Sequence, residues 1–181
     1  PALKESYRQK PMLLRNDKGA LSEVSASAGP GFQASASARG LAVGDYDDDG
    51  DLDVLMTAID APPILLRNET PRKGHWTKLR LLNRHGSPAM QARAIVSSGG
   101  KTQLRELRSG STYQSQSAFD LHVGLGDASV IVSVEVLWPG GRRSVLKDQA
   151  ADTLLTIREP VDPKPTPTAE PSGLKASDTS R

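Results

Sequence analysis

The chain has 181 residues, with 23 Lys or Arg against 21 Asp or Glu, a net charge of +2 and no cysteine. That balance argues against nucleic acid as a partner, and the missing cysteines exclude disulfides, thiolate catalysis, iron–sulfur clusters and cysteine zinc sites. Aromatic residues are only 4 %, too few for a base-stacking surface, and no run of about 18 apolar residues offers insertion into a membrane.

The first pattern in chain order is a repeat. Pro11-Met12-Leu13-Leu14-Arg15-Asn16-Asp17 returns as Pro63-Ile64-Leu65-Leu66-Arg67-Asn68-Glu69, with every change conservative. A period of about 50 residues suits one blade of a β-propeller. Between the copies, residues 25–38 are small and low in complexity and read as a surface connection. Residues 41–43 and 52–56 read as short strands around a polar loop. A single repeat unit cannot bury both its faces. The chain, which opens at Pro1 without a charged and apolar leader, therefore reads as the C-terminal part of a longer protein, joined to upstream propeller blades. The competing reading is a β-meander packed on the next domain.

Residues 71–75 mark a boundary. Beyond it, strands are expected at 77–82, 92–98, 102–108, 121–125, 130–138, 142–146 and 153–157. Leu79 and Leu81 share one face, as do Ala94 and Val96, and Val132, Val134, Val136 and Trp138 are expected to share another. Gly99-Gly100 is a two-residue hairpin signal. No segment keeps a helical period. The predicted fold class is all-β: a partial propeller unit over 1–70, a small β-sandwich or barrel over 71–159, and a disordered tail over 160–181, where five prolines fall among polar residues.

The chemistry concentrates in Gly44-Asp45-Tyr46-Asp47-Asp48-Asp49-Gly50-Asp51-Leu52-Asp53. Two carboxylates about 4 Å apart repel by roughly 1 kcal/mol in water, so a tight loop of six needs a counter-charge. Calcium takes 6–8 oxygens, and the spacing suits it: side chains from Asp45, Asp47 and Asp49, a sharp turn at Gly50, the backbone carbonyl of Asp51, and Asp53 from the next strand. The pattern follows an EF-hand loop through its ninth position and then departs, since the twelfth is Met56 and the flanks read as strands. Magnesium's small octahedral site fits less well. A solvated acidic turn is the plainer alternative.

Other signals are weaker. His75, His85 and His122 have no metal-ligand spacing. Gly124-Leu125-Gly126 lacks the context of a dinucleotide fingerprint, and no G-x-S-x-G elbow occurs. Residues 72–108 hold nine Lys or Arg and one acid, Glu106. This is a solvated strand face or, in the sharper reading, a polyanion-binding face of Arg93, Lys101, Arg105 and Arg108. Asn68-Glu69-Thr70 is a glycosylation sequon.

The Asp45–Asp53 loop, preceded by Arg39-Gly40 and flanked by two Leu-Leu-Arg-Asn strings, resembles the FG-GAP/VCBS repeat of calcium-bearing β-propellers. Downstream, several strings resemble the ASPIC/UnbV domain of cartilage acidic protein-like and bacterial proteins. These are His75-Trp76, Ser98-Gly99-Gly100, the run from Arg105 to Ser117 (Arg-Glu-Leu-Arg-Ser-Gly-Ser-Thr-Tyr-Gln-Ser-Gln-Ser), Leu121-His122-Val123-Gly124-Leu125-Gly126 and Trp138-Pro139-Gly140-Gly141. One departure is Gln91 where the family usually has glycine. The resemblance implies a non-catalytic, calcium-binding module outside the cell or on its surface, recognising a protein or glycan ligand without entering a membrane. The alternative is an accessory role in a secreted or natural-product enzyme system, for which no catalytic constellation is present.

Overall fold

The first copy of the repeat forms β1 (Leu14–Asp17), which turns back into β2 (Ala20–Glu23). At the bend Lys18 and Gly19 have φ of 53° and 98°, the mirror-image turn whose twist suits a hairpin. The computed structural model describes residues 7–59, 61–71 and 73–161. The stretch expected to be a surface connection is mostly exposed and makes two 3-10 turns, Ser25–Ser27 and Pro30–Gln33. It also buries Ser25, whose hydroxyl accepts from the Leu13 amide at 2.8 Å.

Three antiparallel strands follow: β3 (Ala38–Gly44), β4 (Asp53–Ala58) and β5 (Ala61–Leu66), in that order across one sheet. The second copy of the repeat supplies the end of β5. The acidic loop is the β3–β4 connection.

Seven strands form the rest of the structure: β6 (His75–Leu82), β7 (Arg93–Ser98), β8 (Lys101–Glu106), β9 (Leu121–Gly126), β10 (Val130–Leu137), β11 (Arg143–Ala150) and β12 (Thr153–Arg158). They make two sheets, β11-β10-β7-β8 and β12-β6-β9. All pairs are antiparallel except β12 with β6. The inner faces meet in one apolar core. Leu79, Leu81, Val123 and Ile157 come from the smaller sheet, and Ala94, Val96, Ile131, Val134 and Val136 from the larger. Trp138 closes one end, its indole N–H donating to the Ser144 hydroxyl at 2.9 Å. Gly99 and Gly100 form the β7–β8 turn, both with positive φ, as the sequence predicts.

The fold is thus all-β, with no helix longer than four residues among the described residues. One facing differs from the expected alternation. Val132 is exposed, and Ile131 takes its place in the core. A β-bulge between Ile131 and Ser133 in the β10–β7 pairing inserts one residue. The alternation is thereby reversed upstream of it. The tail expected to be disordered falls, beyond residue 161, outside the described residues.

The two parts of the chain are joined along the edge of β3. The Leu41 amide donates to the Thr112 hydroxyl at 2.8 Å, and that hydroxyl donates to the Leu41 carbonyl at 2.7 Å. Ser115 Oγ donates to the same carbonyl at 2.7 Å, and the Val43 amide donates to Ser117 Oγ at 3.1 Å. The Ala118 amide donates to the Val43 carbonyl at 2.9 Å. The Ser- and Thr-rich run between β8 and β9 therefore satisfies backbone groups that an edge strand would otherwise leave open.

Candidate metal centre

The β3–β4 loop brings three of the five expected metal ligands together. Asp45, Asp47 and Asp49 each offer a carboxylate oxygen within 4.8 Å of the others. Alternate positions on a tight bend do this, and Gly50, with φ of 93°, lets the chain turn where an L side chain would be strained. Asp53 is anchored at the base of the loop. Its two oxygens accept from the amides of Tyr46 and Asn68, each at 2.8 Å, so it ties the base of the loop to the end of the repeat strand. It is buried and lies outside the three-carboxylate group. The expected role of Asp51 was through its carbonyl; its amide donates to Asp49 Oδ1 at 2.8 Å, which orients that carboxylate.

The Asp45 side chain is only 2 % exposed. Its Oδ2 accepts from the Gly50 amide at 3.0 Å and from Lys78 Nζ at 2.9 Å. Its Oδ1 is buried without any hydrogen-bond partner. A buried carboxylate oxygen is costly to leave unpaired, and an oxygen-seeking cation is the partner that the surrounding donor set suits. Among the described residues, Lys78 and Arg67 form ion pairs with carboxylates of this loop. Lys78 also bonds Asp48 at 2.7 Å. Arg67, from the repeat, pairs with Asp47 at 3.2 Å and with Glu69.

Lys78 was not singled out in the sequence. It stands on the outward face of β6, opposite the core-facing Thr77 and Leu79, and is buried because the acidic loop lies on it. Burial alone pulls its pKa down, but the hydrogen bonds to Asp45 and Asp48 outweigh that, and the net direction is upward. The same hydrogen bond, with the charge behind it, holds Asp48 below the ordinary carboxylate value. Two neighbours share that face. His122 lies opposite Lys78 in the β6–β9 register. Trp76 stacks on the His122 ring at 6.2 Å between centroids. The signal that points to this face is β6 itself, where Trp76 and Lys78 alternate with core residues.

The four basic residues proposed as a polyanion face do not converge. Arg93 and Arg108 both pair with Glu106, at 3.7 and 2.9 Å. Arg105 pairs across from the buried Ala94. From there it reaches over the seam between the sheets to donate to the His122 carbonyl at 3.2 Å and to Gln103 at 2.9 Å. Lys101 opens β8 with the same facing as Arg105, away from Arg93. Arg105 thus helps to close the sandwich, and Glu106, its pKa lowered chiefly by the Arg108 hydrogen bond, neutralises the other side.

His75 and His85 remain apart from the acidic loop. His75 Nδ1 lies 2.6 Å from Asp152 Oδ2, and Asp152 also accepts from the Trp76 amide at 3.1 Å. The pair fixes the start of β6. His85 contacts Arg84 in an exposed turn.

Comparison with known protein families finds a match within the second part of the chain. Residues 83–164 match the family described as ASPIC and UnbV. That span covers β7 to β12 and includes the Arg-Ser-Gly-Ser run that lines β3. No curated protein matches the chain.

Proposed function

We propose that this chain is a calcium-binding, non-catalytic recognition module that works outside the cell or on its surface. In this reading the β3–β4–β5 sheet is an FG-GAP/VCBS-type propeller blade seated on the ASPIC/UnbV domain. The observation that carries it is the convergence of Asp45, Asp47 and Asp49 around a carboxylate whose Oδ1 is buried and unpartnered. When bound, the cation supplies the positive charge that the loop lacks. Asp45, Asp47 and Asp49 would hold it, and Asp53 and the Asp51 amide keep the loop in shape. All-oxygen ligation and a flexible backbone suit calcium better than magnesium.

A further observation supports the blade reading. Leu55 and Leu65 are cross-strand neighbours, and both are more than a third exposed; a blade places such side chains against an adjoining blade. The cation would act on the fold rather than on a bond, since carboxylates committed to a metal are poor proton carriers.

Calorimetric titration of the chain with calcium tests the reading. Binding is expected in the range of extracellular modules, about 10⁻⁴–10⁻³ M, with magnesium weaker. At 100 times the dissociation constant the ion would stabilise the native state by about 2.7 kcal/mol. No heat at millimolar calcium would overturn it. An array of glycans and surface proteins, probed with and without chelator, tests the recognition role. Chelator-sensitive binding is the expected result.

A further inference from the structure

The acidic loop does not stand free; it is clasped by the sandwich, and the clasp grips the residue at its turn. The Gly50 carbonyl accepts a hydrogen bond from His122 Nε2 at 2.8 Å. A carbonyl can only accept, so that nitrogen carries the proton. A Cβ on Gly50 would lie 2.1 Å from Trp76 Nε1, so the indole occupies the space where a side chain would go. On its other side the Gly50 amide holds Asp45 Oδ2 at 3.0 Å. One residue therefore links the sandwich, through its carbonyl, to a carboxylate of the candidate metal group, through its amide.

We infer that His122 and Trp76 are positioning residues for the acidic loop, so that metal binding at the loop and its seating on the sandwich form one coupled equilibrium. The inference rests on the metal-binding reading above. Its physical basis is that both events act on the same degree of freedom. Mutual repulsion drives the carboxylates apart. A cation draws them together, and so does a fixed Gly50. A ligand that prefers the gathered loop shifts the chain toward the seated state, and the seated state binds that ligand more tightly by the same factor. Lys78 adds to the seating through Asp45 and Asp48. Its positive charge makes it unsuitable as a probe, because removing it also changes the field at the cation. His122 and Trp76 allow changes that leave the charge of the loop alone.

The test compares calcium affinity, by calorimetry, in the unmodified chain, His122→Phe and His122→Gln. Phenylalanine keeps a ring to stack on Trp76 but cannot donate to Gly50; glutamine can donate. The coupling predicts a dissociation constant about fivefold weaker or more in His122→Phe, restored to within about twofold in His122→Gln. Equal affinity in all three overturns the inference and leaves the metal reading standing. No calcium binding by the unmodified chain overturns both. A second readout needs no substitution. The chain has two tryptophans, and Trp138 is sealed in the core, so calcium should shift the emission of Trp76 alone. An unchanged spectrum at saturating calcium overturns the coupling even where His122→Phe fails to fold.

Discussion

The two parts of the chain are stabilised by different physics. From β6 onward, two sheets close over a continuous apolar core. Before β6, Met56 is the one buried apolar side chain among the described residues, and the buried polar groups there are Ser25, Ser37, Asp53 and the Asp45 carboxylate. A fully buried Leu or Val contributes roughly 1.5–3 kcal/mol, and the sandwich has many. The first part relies on hydrogen bonds from hydroxyls and carboxylates, each worth about 1 kcal/mol net, and on a charge balance that Lys78 supplies from the other part. The contrast shows that the sandwich serves as the foundation on which the acidic loop is held.

Breaking the foundation should have the largest effect. Leu81 is 1 % exposed between the sheets. Leu81→Ala removes its methyl groups and leaves a cavity, for an expected loss of about 4 kcal/mol in denaturant unfolding. Calcium should not restore it, because the defect is apolar. Recovery by calcium would mean that the core is not what holds the sandwich.

Breaking the charge balance should give the next largest loss, with the opposite response to metal. Lys78→Met strips the cation from Asp45, whose side chain is 2 % exposed. Leaving a buried charge unpaired costs about 3 kcal/mol. The loss should be full in chelator and shrink in millimolar calcium, as read by thermal melting in both buffers. In chelator the contribution also has pH limits. Asp48 is held below its ordinary 3.8, so its share is present above that value and fades as pH falls through the lower folded pKa. Lys78 is raised above 10.5, so its share is present below that value and fades as pH rises through the higher folded pKa.

The contrast also explains which features could be read from the sequence. Contiguous signals were legible. Six aspartates lie within nine positions, and their alternate spacing brings Asp45, Asp47 and Asp49 to one point. Strands that bury one face alternate, so Leu79 with Leu81 and Ala94 with Val96 were placed correctly. Val132 was not, because a bulge carries no mark in an unbroken apolar run. The partners of the loop were hidden for another reason. Trp76, Lys78 and His122 reach it only after β6 and β9 have paired, and local spacing cannot report contacts between distant segments. Asp53 shows the same limit. Its spacing marks it as a candidate ligand but does not report that the amides of Tyr46 and Asn68 donate to its two oxygens.

A smaller change should separate the seam from both regions. Thr112→Val keeps the shape of the side chain and removes both hydrogen bonds to Leu41. The expected loss is about 1–2 kcal/mol. Amide exchange at Leu41 should quicken while that of Val96, deep in the sandwich, stays slow. Equal acceleration at both would show that the seam and the core unfold as a unit.

The smallest expected effect is a gain. Gln91 has φ of 68°, a left-handed conformation that strains an L residue by about 1–2 kcal/mol. It holds that shape because its amide donates to the Leu107 carbonyl at 2.7 Å, at the point where the chain enters β7. This is the position where the resembling family usually has glycine, so the departure noted in the sequence falls on a backbone conformation that favours glycine. Gln91→Gly would relieve the strain while raising the entropy of the unfolded chain, which offsets part of the gain. The net expectation is about 0.5 kcal/mol of added stability, seen as a higher denaturant midpoint with an unchanged slope. Gln91→Val should move the midpoint the other way, because a β-branched side chain tolerates positive φ poorly. Both substitutions act at the entrance to β7, away from the acidic loop, so calcium affinity should remain constant in each. A change in affinity would mean that strain at the edge of the sandwich reaches the loop through β6 and β9, and the two regions would then be less separable than their packing indicates.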